Sequence, residues 1–392
     1  MARFLYITGL LLLLASCHHD EAEDNNTLAP RTILIYMMGE NSLASYMQYD
    51  IDEMKQAVAE GSLQGCNLLV CQDGTRRPAL FRIRQHNGKA VADTIRRYDT
   101  LQSTDPNVLR SVMDEAFQQF PAYSYGLVLW SHGDGWLPDD SREKIATRWI
   151  GTDQGNNGPK LEVEELSSVL SQYPKLDFLF FDACFMQTIE VAYTLRPYAQ
   201  YIIGSVTETP GIGAPYHHVL RHLCAPECDM ASVIGSYYSY YTDPQTINGQ
   251  FPDGWAYGCA ISAIHCDALD ALTAKTKEII AAADFDNADF RNVQCYDMRS
   301  LPYYYDFNGF IHAIATDNQY REWKDLLEAC IPESFRAATS SCYSAYLPGS
   351  FPIDTEQYSG ISTYIPKDGG DYATANAAYE QLDWYKAVYP HP

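Results

Sequence analysis

The chain has 392 residues, 46% of them hydrophobic, and carries 50 acidic against 27 basic side chains, a formal charge of −23. That length suits one large domain, or one domain with a smaller companion, and the apolar content suffices for a substantial core. So acidic a surface repels phosphate backbones, which argues against nucleic acid as a partner, and it concentrates cationic substrates instead.

The N-terminus, MARFLYITGLLLLLASC, has one basic residue, Arg3, then an apolar stretch too short to span a bilayer comfortably. Its Leu-Ala-Ser-Cys ending resembles a bacterial lipobox, in which Cys17 becomes the lipidated first residue of the mature protein. An ordinary signal peptide or short anchor is the alternative. The acidic, aperiodic HHDEAEDNNTLAP that follows reads as a flexible tether. Residues 1–16 are therefore assigned as signal peptide and 17–30 as tether, and the expected location is the bacterial outer membrane or cell surface, held through the N-terminal lipid. Ten cysteines remain, with no C-x-x-C and no dense framework. Export permits disulfides without assigning any pair.

TILIYMM (32–38) is a continuous apolar run and reads as a buried strand. A helical pattern follows over about 43–59, then a second buried strand, NLLVCQD (67–73). Asn87-Gly88 sits between two alternating segments and predicts a hairpin. In 105–120 a helix is expected, with Asp105 as cap and Pro106 in the first turn. GLVLW (126–130), LDFLFFD (176–182) and YIIGSV (201–206) are further buried strands, with helices expected over 161–174 and 187–198. Strands alternating with helices imply a parallel sheet covered on both faces, with the strands' carboxyl ends on one edge. Beyond 206 the pattern loosens: helices are expected over 230–243 and 266–284, strands over 254–264 and 360–366, and one long final helix.

Two strand ends carry the chemistry. One offers Ser131-His132-Gly133-Asp134-Gly135-Trp136, the other Asp182-Ala183-Cys184-Phe185-Met186. On neighbouring parallel strands, His132 and Cys184 emerge at the same edge, where a thiolate attacks a carbonyl and an imidazole serves as acid and base. A helix directly after Cys184 is expected to lower its pKa. The amides of Gly133 and Cys184 are natural oxyanion donors. The strand period of two puts Asp182 on the face of Cys184, where a carboxylate suits a cationic side chain. His218 and His222, four apart and followed by Cys224 and Cys228, are spaced for zinc on a helix, but a polar helix surface accounts for them equally. The tyrosine clusters at 236–241 and 302–307 fit either a groove or half-buried packing.

YGLVLWSHGDGW and LDFLFFDACFMQTIEVAY resemble the two signature blocks of the clostripain family of cysteine peptidases. TILIYMMGENSLASYMQYDIDEM is similar to that family's first strand and helix, SVTETPGIGAPY to the block after its cysteine strand, and GISTYIP to a late strand. The resemblance covers about residues 31–392. It implies a caspase-like fold, a Cys184–His132 dyad, and cleavage after Arg or Lys, with Asp182 as the contact to the basic P1 side chain. Known members are often cut internally between the two blocks, and here Arg142, Lys144 and Arg148 offer such a place. Some members carry an acid in the block after the cysteine strand; this chain departs from that with Gly211-Ile212-Gly213 and only Glu208 nearby, which becomes the second candidate for substrate binding. Some members require calcium, but no EF-hand-like loop is present, and no metal ligand or cofactor is assigned.

The expected architecture is α/β: a caspase-like α/β/α sandwich with a mainly parallel central sheet over 31–265, and a C-terminal α+β extension over 266–392 packed on it. The expected function is a secreted, lipid-anchored cysteine endopeptidase acting on peptides or proteins. The rival is a catalytically silent surface-binding lipoprotein on the same scaffold, and a third reading is another amide hydrolase or acyl transferase using the same dyad.

Overall fold

The computed structural model describes residues 28–74, 76–137, 149–243, 258–347 and 349–389. Cys17, Arg142, Lys144 and Arg148 lie outside them, and so do residues 1–16, expected to be a signal peptide, and nearly all of 17–30, expected to be a tether. In chain order the first half comprises β1 (Ala29–Met38), α1 (Met47–Ala59), β2 (Asn67–Asp73), β3 (Ala79–His86), β4 (Lys89–Arg97), α2 (Pro106–Gln119), β5 (Ala122–Trp130), β6 (Trp149–Thr152), β7 (Lys160–Glu162), α3 (Val163–Leu170), β8 (Leu176–Asp182), α4 (Ile189–Leu195) and β9 (Ala199–Ser205). The second half comprises α5 (Tyr216–Leu223), α6 (Met230–Thr242), β10 (Ala260–His265), α7 (Leu269–Ala282), β11 (Tyr305–Asp306), α8 (Phe307–Ile314), α9 (Asp317–Cys330), β12 (Arg336–Ala338), β13 (Ser341–Ser344), β14 (Gly349–Pro352), β15 (Ser362–Thr363), α10 (Ala373–Tyr379) and α11 (Asp383–Val388).

Nine strands form one sheet in the order β12-β10-β9-β8-β5-β1-β2-β3-β4. The five from β9 to β2 are parallel, and they are the continuous apolar runs, because a strand covered on both faces has no polar side to present. β1 alternates between two cores. Leu34, Tyr36 and Met38 join the helices α2, α3, α4 and α7, while Ile33, Ile35 and Met37 join α1, α5 and α6. The result is helix–sheet–helix layering. Antiparallel β3 and β4 close one edge through a tight turn in which Asn87 (φ 51°) and Gly88 (φ 71°) both take the left-handed conformation. Asp105 caps α2 by accepting from Asn107 N at 2.8 Å, with Pro106 in the first turn.

Several expected bounds shift. α1 starts at Met47 because 43–46 form turns. α3 starts at Val163 because Lys160–Glu162 is drawn into pairing with Trp149–Thr152. The final helix is two, α10 and α11, broken where Leu382 takes an extended conformation. The expected boundary after residue 265 separates no independent cores. Ala337 of β12 pairs with Ile261 of β10 in the central sheet, and α11 packs in the same apolar cluster as α4.

Candidate active site

The register of β5 on β8 sets the site. Trp130 lies opposite Asp182 in a parallel pair, so His132 and Cys184, each two residues further on, leave the sheet side by side at its carboxyl edge. Both line the same cleft. His132 Nε2 lies 2.8 Å from Ser42 Oγ, and burial lowers its pKa, so the ring is neutral at rest. Cys184 Sγ accepts from Thr209 N at 3.3 Å. Enclosure of the thiol pushes its pKa up to about 12 against the smaller opposing pull of that amide. The expected lowering by a helix N-terminus is therefore corrected. α4 starts only at Ile189, capped by Thr188, and Cys184 sits in a turn whose next residue, Phe185, takes φ 57°. Among the described residues no hydrogen bond joins His132 to Cys184.

Gly133 and Cys184, whose amides are the expected oxyanion donors, line the same cleft. Gly133 bridges to Ile150, but the bonds there run from Gly151 N to His132 O and from Asp134 N to Trp149 O. Neither the Gly133 amide nor the Cys184 amide donates to a partner among the described residues. A side chain at 133 would meet Cys184 O at 3.0 Å, so glycine permits this close approach of the two strand ends.

Asp182 lines a narrow branch of the cleft with Leu43, Trp130, Cys184 and Gly213. Its Oδ2 accepts from Ala214 N (3.0 Å) and Tyr216 OH (2.8 Å), while its Oδ1 is buried without a partner. Burial raises its pKa to about 6 despite those two donors. Behind it lies Asp50 of α1, 0% exposed, whose Oδ2 accepts from Trp130 Nε1 at 2.7 Å and whose Oδ1 also lacks a partner. Burial raises the Asp50 pKa well above the carboxylate range, and the Asp182 charge adds to this.

Glu208 is not brought together with Asp182. It lines the wider branch, where Oε1 accepts from Ala345 N at 2.9 Å and burial raises its pKa. There Arg299 stands beside it, paired to Asp134 Oδ1 at 2.6 Å and stacked over Phe185 and Tyr346. This branch encloses about 260 Å³. His218, His222, Cys224 and Cys228 do not gather into a metal-holding group among the described residues. The ten described cysteines are all unpaired thiols.

The clostripain-family profile matches residues 35–388. The chain belongs to the clostripain family. It is 29% identical to clostripain from Hathewaya histolytica over 196 residues, 42% of this chain and 36% of that protein, so the match spans about a third of clostripain's own length. It is also similar to the solved structure of a secreted C11 cysteine protease from Bacteroides thetaiotaomicron in complex with an irreversible peptide inhibitor. The identity there is 33%, the TM-score 0.80, and the match covers 92% of this chain and 99% of that one. An inactive zymogen C11 protease from Parabacteroides distasonis is 30% identical with TM-score 0.79, covering 93% and 99%. These matches bear out the caspase-like fold class and the cysteine-peptidase family expected from the sequence. In this clostripain-family chain the structure brings His132, Cys184 and Asp182, which the motif reading named, to one cleft, bordered by Ser42, Asp50 and Arg299, which it did not name. Asp50 was hidden as one of several acids in YDIDEM, and no local pattern marks Arg299.

Proposed function

We propose that this clostripain-family chain hydrolyses peptide bonds after Arg or Lys, with Cys184 as nucleophile and His132 as acid and base. The observation that carries the specificity is the buried Asp182 carboxylate, whose Oδ1 lacks a partner in a narrow branch shared with both catalytic candidates. A guanidinium or ammonium group supplies the missing hydrogen bond and the missing charge. The Gly211-Ile212-Gly213 segment supplies no acid to this branch, which measures about 40 Å³, so Asp182 is the carboxylate left to meet a cationic P1 group there.

With a raised thiol pKa and a lowered imidazole pKa, the resting pair is neutral. As the Sγ–carbon bond forms, the thiol proton passes to His132, the carbonyl π bond opens and its oxygen takes the negative charge, to be met by the Gly133 and Cys184 amides. Collapse of this adduct breaks the carbon–nitrogen bond, and protonated His132 delivers a proton to the departing amine. The resulting thioester is attacked by water, which gives its proton to His132; the carbon–sulfur bond breaks and the thiol is restored. Glu208 and Arg299 border the wider branch, where they are suited to polar substrate groups beyond P1.

The chain is further read as an exported lipoprotein anchored through Cys17, cut between Arg142 and Arg148 on activation. The zymogen form of the Parabacteroides relative supports attention to processing. The test is a peptide library spanning every P1 residue, run on the full chain beside Cys184→Ala, with intact mass recorded before and after. Thiol-dependent cleavage after Arg or Lys, a lipid-sized mass increment and a cut in 142–148 are expected. Cleavage after other residues removes Asp182 as charge selector, and silence of the cut enzyme removes the peptidase reading.

A further inference from the structure

A loop from the C-terminal part of the chain touches both catalytic strand ends at once. Its ends, Cys295 and Tyr305, bridge to each other, and the buried Asp297 pins it from within. Asp297 Oδ2 accepts from Tyr303 N at 2.9 Å, and its Oδ1 accepts from Arg299 N at 3.4 Å. From this loop Arg299 Nη2 donates to Asp134 Oδ1 at 2.6 Å and to Tyr346 OH at 2.9 Å. Tyr304 OH donates to Asp134 O at 2.7 Å and lies 3.0 Å from its Oδ1. On the other strand end, the Arg299 guanidinium lies 5.1 Å from the centre of the Phe185 ring, and that ring is stacked on Tyr304 at an interplanar angle of 9°.

The residues held in this way are Asp134, directly after Gly133, and Phe185, directly after Cys184. Gly133 and Cys184 carry the two amides read as oxyanion donors, and no hydrogen bond between His132 and Cys184 fixes their spacing. The ion pair is largely enclosed, its side chains 12% and 22% exposed, so solvent and salt screen it far less than a surface pair. The stacked guanidinium adds a cation–π contact. The two strand ends also abut, since a Cβ at Gly135 would stand 2.6 Å from Phe185 O, and a displacement of one is passed to the other.

We propose that Arg299, supported by Tyr304, is a positioning residue that sets the separation of the Gly133 and Cys184 amides. Oxyanion donors act only when aimed at the place where charge develops, and a misplacement of about 1 Å costs about 100-fold in rate. The catalytic consequence rests on the proposed Cys184–His132 hydrolysis; the hold on the two strand ends does not.

The full chain is compared with Arg299→Met, Arg299→Lys and Tyr304→Phe. Arg299→Met should lower kcat for an Arg peptide by about 10- to 100-fold with KM nearly unchanged. Alkylation of Cys184 by iodoacetamide, which develops no oxyanion, should keep most of its rate. Arg299→Lys retains a cation for Asp134 but loses the planar stack on Phe185, so it should recover part of kcat. Tyr304→Phe removes only the hydroxyl and keeps the ring, so it should show the same pattern at smaller size, and it carries the test if Arg299→Met does not fold. Adding Asp134→Asn to Arg299→Met should cost little more, because the pair acts as a unit. Backbone hydrogen exchange at 132–135 and 184–186 should quicken in Arg299→Met while β5 and β8 stay protected. An unchanged kcat in both Arg299→Met and Tyr304→Phe overturns the proposal. So does an equal loss in peptide hydrolysis and alkylation, which places the defect in the thiol, or a change in KM alone, which makes Arg299 a substrate contact. Wild type that cleaves no peptide defeats the peptidase reading instead. Exchange then decides alone, and unaltered exchange at the two strand ends overturns the hold itself.

Discussion

At the scale of single residues, the site is built from groups kept away from their solution behaviour by burial. Asp182 titrates near 6 in the fold, against about 3.9 in an unfolded chain. Above the folded value the buried charge therefore opposes folding by up to about 3 kcal/mol, and below about 4 that cost is gone. Asp182→Asn keeps an oxygen for Ala214 N and Tyr216 OH but carries no charge. Its stability relative to wild type should be greatest above pH 7 and should decline steadily as pH falls from about 6 to about 4, measured as paired unfolding temperatures. In the proposed function the same charge receives P1, so wild-type kcat/KM for an Arg peptide should have an acid limb near pH 6, the free enzyme's value. In Asp182→Asn, kcat/KM for that peptide should drop by about 100-fold. A variant that retains Arg preference separates the carboxylate from P1 recognition.

At the scale of elements, the parallel strands and the Asn87-Gly88 hairpin were legible, and the turns that shape the site were not. Each parallel strand is buried on both faces, so its composition alone announces it, and the pairing of Trp130 with Asp182 then brings His132 and Cys184 to one edge. The distance from Cys184 to its helix was not legible. Four residues intervene, and the turn at Phe185 is stabilised by a ring stacked on Tyr304 at 4.7 Å, a contact 119 positions away in sequence. Ser42 and Asp50 were missed for the same reason, because both reach the site from the β1–α1 segment through packing rather than local pattern. The turn after β9 is equally non-local. Gly213 has φ +62°, and a Cβ there would stand 2.7 Å from Asp182 Oδ2. Gly213→Ala should cost about 1–3 kcal/mol of strain and displace the carboxylate, lowering kcat/KM for Arg peptides by about tenfold or more while sparing the Cys184 thiol's reaction with a small alkylating agent. An unchanged Arg preference indicates that this turn does not hold the carboxylate in place.

At the scale of the whole molecule, a continuous sheet joins what the sequence suggested were two parts. β12 comes from the C-terminal segment yet extends the sheet beyond β10, and the aromatic cluster of Trp136, Tyr364 and Tyr379 ties the His132 loop to the chain's last helices. The loosened pattern after residue 206 is thus the signature of an edge shared with helices and short ribbons, where no continuous apolar run is needed. The net charge of −23 acts over the same scale. A cationic peptide approaching the cleft is drawn by the summed field before it touches Asp182, and salt screens that field with a Debye length of about 10 Å at 0.1 M. Raising NaCl from about 0.02 M to about 0.5 M should therefore lower kcat/KM for a multiply basic peptide several-fold. The acylation rate at saturating peptide should stay nearly constant, because the contact with a buried carboxylate is screened far less than the approach. Stopped-flow single turnovers measure the two separately. A salt-independent kcat/KM indicates that the overall charge keeps the protein soluble without steering its substrate, and an equal fall in both quantities places the screened interaction inside the bound complex.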